Sequence, residues 1–376
     1  MDTTAEQPMV LRSPLGWDPV QPPERHPWLG VAIALTMVLG VVVIGFNWLL
    51  PYYALAPGSA KPVGGLIQAQ NAQLYPAKGQ VLLTTISLQQ VSPVGAIYGW
   101  LKGDIDVVPA DQIKPKQQSD QQYRQYNIEV MDESKQDAIV VALRRLGYPV
   151  TEKGEGAFIE DVLPQFAASG RLHQGEVMKA IDGHPVNLIA DATAVIATHK
   201  AGDLLTIDVQ QPDGTGAHQV QVPVSTDTDP KQKGKPILGV ILQTFKRDFD
   251  TGGVKVDIQS GNIGGPSAGL AFTLGVIDDL TPGELTGGHK VAVTGTINMD
   301  GTVGDVGGVA QKTSAVRSAG AEVFLVPPGE YETAKAHAGS KLKVIKVTTL
   351  QDALNALGSL GGDLSALGTG PGGQRG

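Results

Sequence analysis

Ser267 and Lys312, 45 positions apart, are the residues of this sequence whose types and settings suit covalent chemistry. Ser267 lies in GNIGGPSAGLAF, residues 261–272, between Pro266 and the pair Ala268-Gly269, with Gly261, Gly264 and Gly265 upstream. The preceding GVKVDIQ alternates as a half-buried strand should, and the following LAFTLGVIDDL reads as a helix. A Gly-rich strand-to-helix turn with Pro at the helix start projects a serine from a helix N-terminus. Backbone N–H groups without partners and the positive end of the helix dipole can stabilise an oxyanion there. The same residues also suit an ordinary helix cap, and the turn alone leaves both readings open.

Lys312 lies in GGVAQKTSAVRSAG, residues 307–320, a segment with helical spacing that ends at Gly320. It shares one stripe with Val309, Val316 and Ala319, whereas Arg317 points well away from it. A lone lysine on an apolar stripe is costly unless paired or neutral. Desolvation would lower its pKa and fit it to act as a general base. A lysine snorkelling at the edge of the core produces the same pattern.

Three motifs in order, GPSAG at Ser267, VTGTI around Thr294 and GGVAQK ending at Lys312, resemble the proteolytic domain of Lon-type peptidases. The resemblance implies Ser267 as nucleophile and Lys312 as the base that later returns the proton to the leaving amine. It implies that Thr294 hydrogen-bonds and positions the lysine, and that the backbone N–H groups of Ser267 and Ala268 form part of the oxyanion hole. Upstream, MDESKQDAIVVAL (131–143) looks like the Met-x-Glu-Ser helix that precedes the catalytic turn in such domains. Two positions depart from the family pattern: Gly264 stands where many members carry Asp, and Thr296 where many carry Glu. These departures bear on substrate preference or site regulation.

The elements that must position these residues are legible in outline. QVLLTTISL (80–88) is a strand, polar residues 114–122 read as a linker, and 131–147 reads as a helix. That helix has Asp132 and Glu133 early, Arg144 and Arg145 late, and an apolar face of Ala138, Val141, Ala142 and Leu146. After the Ser267 helix, HKVAVTGTI reads as a strand and Asp300-Gly301 as a tight hairpin turn. Strands EVFLVP and KVIKV and the helix TLQDALNAL complete the pattern.

Residues 154–224 form a separate strand-rich unit with a helix at 191–199 and strands LLTIDVQ and HQVQVPV. Through Gly156-Ala157-Phe158-Ile159, Ala168-Ser169-Gly170 and GEVMKAIDGHPV (175–186), it resembles a PDZ domain of the bacterial protease-associated kind. Glu176 stands where Asp is commoner. The resemblance implies a groove near Ala157, Phe158, Ile159 and the 191–199 helix that takes a peptide tail by strand addition.

Residues 28–50 run 23 positions without a charge, about 34 Å as a helix and long enough to cross a bilayer. Trp28, Trp48, Tyr52 and Tyr53 mark its ends as an aromatic belt would. A buried core helix is one rival, and a cleavable signal peptide is the stronger one, because Ala54-Leu55-Ala56 resembles a cleavage site. The apolar run exceeds a usual signal core, which favours a retained anchor. Arg12 and Arg25 before the span, against Lys61 after it, lean towards an inside N-terminus and an outside catalytic part.

The expected fold is therefore α+β: a Lon-type proteolytic domain split by an inserted PDZ-like domain and preceded by a single transmembrane helix. The divisions are a disordered leader (1–27), the span (28–50), a first part of the Lon-like domain (51–150), the PDZ-like unit (151–225), the catalytic part (226–357) and a disordered Gly-rich tail (358–376). From the anchor to about residue 356 the chain resembles the membrane-anchored, PDZ-containing Lon-like proteases of bacteria (the YlbL-like group). That resemblance implies a protease on the outer face of the membrane, and Lon-type domains imply a ring-shaped homo-oligomer.

Composition limits the alternatives. A net charge of −8 with no Lys/Arg-rich run disfavours nucleic acid as a partner. The absence of Cys rules out disulfides, thiolate metal sites and a Cys nucleophile. No H-E-x-x-H pattern occurs among the seven His, so no metal is expected; His184 and His199 read as surface or groove residues. Gly307–Thr313 superficially suggests a phosphate loop, but Gln311 occupies the place of the Gly that must precede the Lys, so no ATP and no cofactor is expected. The function expected is ATP-independent cleavage of flexible or unfolded polypeptides. A non-enzymatic membrane scaffold binding peptide C-termini is the alternative.

Overall fold

The computed structural model describes residues 27–229 and 234–367. The leader with Arg12 and Arg25, the middle of the 225–236 linker and the last nine residues of the tail lie outside the described residues. Eight α-helices are described: α1 (Pro27–Asn47), α2 (Pro93–Leu101), α3 (Asp120–Arg145), α4 (Ile189–Ala197), α5 (Gly269–Leu280), α6 (Val309–Ser318), α7 (Tyr331–His337) and α8 (Leu350–Ser359).

A six-stranded mixed sheet carries the chemistry. Its strands lie in the order Lys343–Lys346, Val323–Val326, Lys290–Val293, Gln80–Gln90, Tyr52–Pro62 and Asp106–Pro109. The first four are mutually parallel and the last two pair antiparallel. Side-chain alternation sorts its two faces. Val81, Leu83, Val291, Val293, Val323 and Leu325 pack with residues of α3, α5 and α8. Leu82, Ala292, Phe324 and Val326 instead pack with Val309 and Val316 of α6 and Ala334 of α7. The two-sided burial explains why these strands read as continuous apolar runs.

The second unit has its own core around Ile159, Met178, Ile181, Leu205 and Ile207. Its strands follow the order His218–Pro223, Leu204–Gln210, Val177–Ile181, Ala157–Val162 and Val240–Thr244. It is inserted between α3 and the strand Lys255–Ile258, which returns to pair with Ile67–Gln70 of the first unit. At the root of the insertion, Thr151–Lys153 and Asp248–Asp250 pair antiparallel. Arg247 braces that root. Its Nε donates to Glu152 at 2.9 Å, its Nη1 donates to Asp137 of α3 at 3.0 Å, and its guanidinium lies over the Phe249 ring.

Several sequence expectations need correcting. The strand Val240–Thr244, expected with the catalytic part, pairs with Ala157–Val162, because its apolar Val240 and Leu242 complete the core of the inserted unit. α3 begins at Asp120 rather than 131: Ser119 and Gln122 form a capping box, so the linker ends earlier. Tyr53 is buried in the sheet and donates its hydroxyl to Asp120 at 2.6 Å, so it does not belong to an aromatic belt. Ala54-Leu55-Ala56 lies within a strand, and Ala54 and Leu55 have strand neighbours on both sides. Within the tail, Leu360, Leu364 and Leu367 pack on the main core, and the Asp363 N–H donates to the Glu284 carbonyl. Their apolar side chains outweigh the Gly content that suggested disorder.

Candidate active site

Pro266–Ala268 forms one 3₁₀ turn that runs directly into α5, so Ser267 stands, half-buried, at the head of that helix. Gly265 enters the turn at φ 88°, which a side chain would strain. The turn is held from α3. The Gly265 N–H donates to the Asn127 carbonyl at 2.8 Å, and the buried Ser134 Oγ donates to the Pro266 carbonyl at 3.0 Å. A Cβ on Gly269 would lie 2.8 Å from Ser134 Oγ and 3.0 Å from the Ile297 nitrogen, so the close approach of three segments depends on glycine there.

The other support is the end of the strand Lys290–Val293. The Ser267 carbonyl accepts from the Gly295 N–H at 3.0 Å, and the Leu270 N–H donates to the Gly295 carbonyl at 3.1 Å. Two reciprocal bonds thus fix the serine backbone against the Thr294-Gly295 pair. Beyond it, Thr296–Ile297 and Val303–Gly304 form the expected hairpin, with Gly301 at φ 83° in its turn.

Lys312 enters from α6, whose start is set by Gly308 in the left-handed conformation. The lysine is 2% exposed, on the stripe shared with buried Val309 and Val316. Its Nζ donates to Thr294 Oγ1 at 3.1 Å, and Thr294 Oγ1 donates to the Ser267 carbonyl at 3.4 Å. The structure therefore brings Ser267, Thr294 and Lys312 together, linked through the threonine. Among the described hydrogen bonds none joins Ser267 Oγ to Lys312 Nζ directly. Burial, opposed in part by the carboxylate of Glu330, lowers the Lys312 pKa from 10.5 to about 8. The Ser267 and Ala268 N–H groups lie in the first turn, where no residue one turn earlier can accept from them.

Sequence reasoning missed three supports. Ser134 was legible in principle, because with Met131, Ala138 and Ala142 it falls on the apolar face of α3. Gln311 is buried and donates to Asp106 at 2.8 Å, tying α6 to the far edge of the sheet. Glu330 accepts from the Val306 N–H at 2.8 Å, while its other carboxylate oxygen is buried with no hydrogen-bond partner among the described residues; burial and the neighbouring Asp305 raise its pKa. Neither pairing has a local signal, since both depend on how distant segments meet. The histidines bond elsewhere: His199 lies 3.2 Å from Asp182, and His289 is 2.7 Å from Glu322.

Ala157, Phe158 and Ile159 do not line an open groove beside the α4 helix. Ala157 and Ile159 are buried in the core, and Phe158 faces a cleft at the root of the insertion. The strand Val240–Thr244 covers that edge, and its own outer edge has no strand neighbour among the described residues. Between this edge and α4 runs a groove of about 540 Å³, lined by Ile189, Thr193, Ile196, Leu238, Val240 and Leu242. Ile189 and Leu242 also line a second cleft of about 900 Å³, which extends to Glu133 and Asp137 of α3 and to Asn298 and Met299 of the hairpin beyond Thr294.

Residues 176–358 match the model of the Lon protease (S16) C-terminal proteolytic domain. The chain is 30% identical over 171 residues to Lon protease of Malacoplasma penetrans, covering 43% of this chain and 21% of that protein. It is 31% identical over 108 residues to Lon protease 2 of Bacillus subtilis, covering 28% of this chain and 17% of that protein. It thus spans about a fifth or less of the length of these relatives. A probable periplasmic serine protease of Haemophilus influenzae is 30% identical over 102 residues, 27% of this chain and 22% of that protein. Among solved structures, the PDZ domain of an SdrC-like protein from Listeria monocytogenes is 25% identical, with a TM-score of 0.21, covering 23% of this chain and 87% of that one. Residues 176–358 are thus similar to the Lon protease proteolytic domain, and a strand-rich unit with its own core is inserted ahead of the Ser267 turn.

Proposed function

We propose that this chain is an ATP-independent, membrane-anchored serine endopeptidase in which Ser267 attacks the scissile carbonyl and Lys312 takes its proton. The observation that carries the reading is Lys312 itself: buried, with burial lowering its pKa to about 8, and hydrogen-bonded to a threonine that contacts the Ser267 backbone. At pH 7 such a lysine is neutral in about one molecule in ten, enough to supply a base. Substrate seating the serine hydroxyl towards Nζ would complete the dyad, since catalytic contacts commonly tighten on binding. The N–H groups of Ser267 and Ala268 would hold the oxyanion, and the lysine would return its proton to the leaving amine.

The groove beside Val240–Thr244 would take a polypeptide tail as an added strand. A tail pairing antiparallel would leave through the adjoining cleft, towards α3 and the hairpin beyond Thr294, which supports a selecting role for the insertion. α1 would hold the protein in the membrane with the catalytic part outside. Cleavage near Ala56 would cut inside a sheet strand whose Ala54 and Leu55 are paired on both sides, which supports a retained anchor. The ring-shaped homo-oligomer remains an expectation from the family resemblance.

The test compares the full chain in detergent with Ser267→Ala and Lys312→Ala on unfolded casein, with products identified by mass spectrometry. We expect cleavage by the parent chain and its loss in both variants. Equal activity in all three would refute the dyad. Tail-peptide binding with no cleavage by the parent chain would instead favour the scaffold.

A further inference from the structure

The most exposed apolar surface of the described folded part lies on α2. Across this nine-residue helix the small residues face inward and the large ones outward, the reverse of a helix packed on a soluble fold. Ala96 and Gly99 are buried; a Cβ on Gly99 would lie 2.6 Å from Val107 and 3.3 Å from Ile105. Val94, Ile97, Tyr98 and Leu101, at successive helical-face positions, form the opposite stripe, with Trp100 beside it. All five are exposed, Trp100 by 70% and Leu101 by 81%. Monomeric soluble proteins rarely leave such a contiguous patch uncovered.

What covers it follows from where it sits. α2 packs against α1, and a Cβ on Gly45 would lie 3.3 Å from Val94, so α2 meets the last turn of the apolar helix, which ends at Asn47. The Leu50 N–H donates to the Val91 carbonyl at 2.8 Å, fixing the start of α2 beside the exit of α1. A helix at this depth, with Tyr98 and Trp100 on its exposed side and Lys102 at its end, has the composition of an interfacial segment.

We propose that α2 is a second membrane contact, lying in the plane of the bilayer interface with Val94, Ile97, Tyr98 and Leu101 among the acyl chains. The inference rests on the reading of α1 as a membrane span. Its consequence is orientation: α1 alone permits rotation about one axis, whereas α1 with α2 fixes which side of the sheet faces the membrane. Asp106–Pro109, the strand following α2, forms the sheet edge nearest this surface in sequence, and Asp106 accepts the bond from Gln311 of α6.

The chain contains no Cys, so single cysteines can be placed without background. The full chain is reconstituted in phosphatidylethanolamine–phosphatidylglycerol vesicles as Leu39→Cys, Ile97→Cys, Leu101→Cys or Lys341→Cys, each labelled with an environment-sensitive fluorophore. Leu39 reports on the span and exposed Lys341 on water. We expect labels at 39, 97 and 101 to emit to the blue of that at 341, to be quenched by lipid-attached quenchers and to be protected from aqueous iodide. Lipid contact at 39 with iodide quenching at 97 and 101 overturns the proposal and leaves the span intact. Iodide quenching at 39 as well overturns both. Labels at 97 and 101 shielded from both quenchers show that protein, such as a second copy, covers α2, and this also overturns the proposal.

Discussion

At the residue scale, Lys312 is the least ordinary feature of the molecule. Lysine is rarely buried without a carboxylate partner, and here the hydrogen-bond partner is a threonine hydroxyl. Below about pH 8 the lysine is charged in both folded and unfolded chains, and the folded state bears the desolvation cost, about 3 kcal/mol for a shift from 10.5 to about 8. Between about 8 and 10.5 the unfolded chain holds a proton that the folded chain has shed, so stability rises with pH across that window. Lys312→Met should therefore abolish cleavage while raising stability at pH 7 by up to about 3 kcal/mol, less the lost bond to Thr294, as read by denaturant titration. In the parent chain kcat/KM should climb with pH and level off above about 8; a profile flat from pH 6 to 9 would remove Lys312 as the base.

At the element scale, the serine turn is held by α3 on one side and the Thr294-Gly295 strand end on the other. Ser134→Ala removes the donor to the Pro266 carbonyl and should cost about 1–3 kcal/mol. Because the lost bond lies one residue from the nucleophile, kcat should fall more than KM changes. Restoration by Ser134→Thr would show that the hydroxyl, rather than the cavity, matters. α3 also shows what a local reading yields. Its last turns were legible from Arg144, Arg145 and Gly147, and its apolar face from Ala138 and Val141. Its first three turns, rich in Gln and Tyr, have no apolar stripe; they are fixed by the Ser119 cap and by the contact of Asn127 with the Gly-rich turn.

At the scale of the whole molecule, two units are joined at one root, where Arg247 bridges Glu152 of the insertion and Asp137 of α3. Both pairs are part-exposed, so Arg247→Ala should cost only about 1 kcal/mol of stability. Its larger effect should be to loosen the insertion, read as a second calorimetric transition and earlier trypsin cleavage near residues 151–153. A single unchanged transition would mean that the paired strands alone hold the root.

By itself the sequence determined the α+β class, the inserted unit, the apolar helix and the three motifs around Ser267, Thr294 and Lys312. Each is written in local order: periodicity, turn residues and spacing along one segment. Only the tertiary structure decided which segments meet. It assigned Val240–Thr244 to the inserted unit and so covered the strand edge at Ala157–Val162, because strand neighbours are chosen by packing across distant sequence. It buried Tyr53 beside Asp120 and drew Leu364 onto the main core. It joined Lys312 to the serine turn through Thr294, because a hydroxyl's partners depend on where three separate backbones converge.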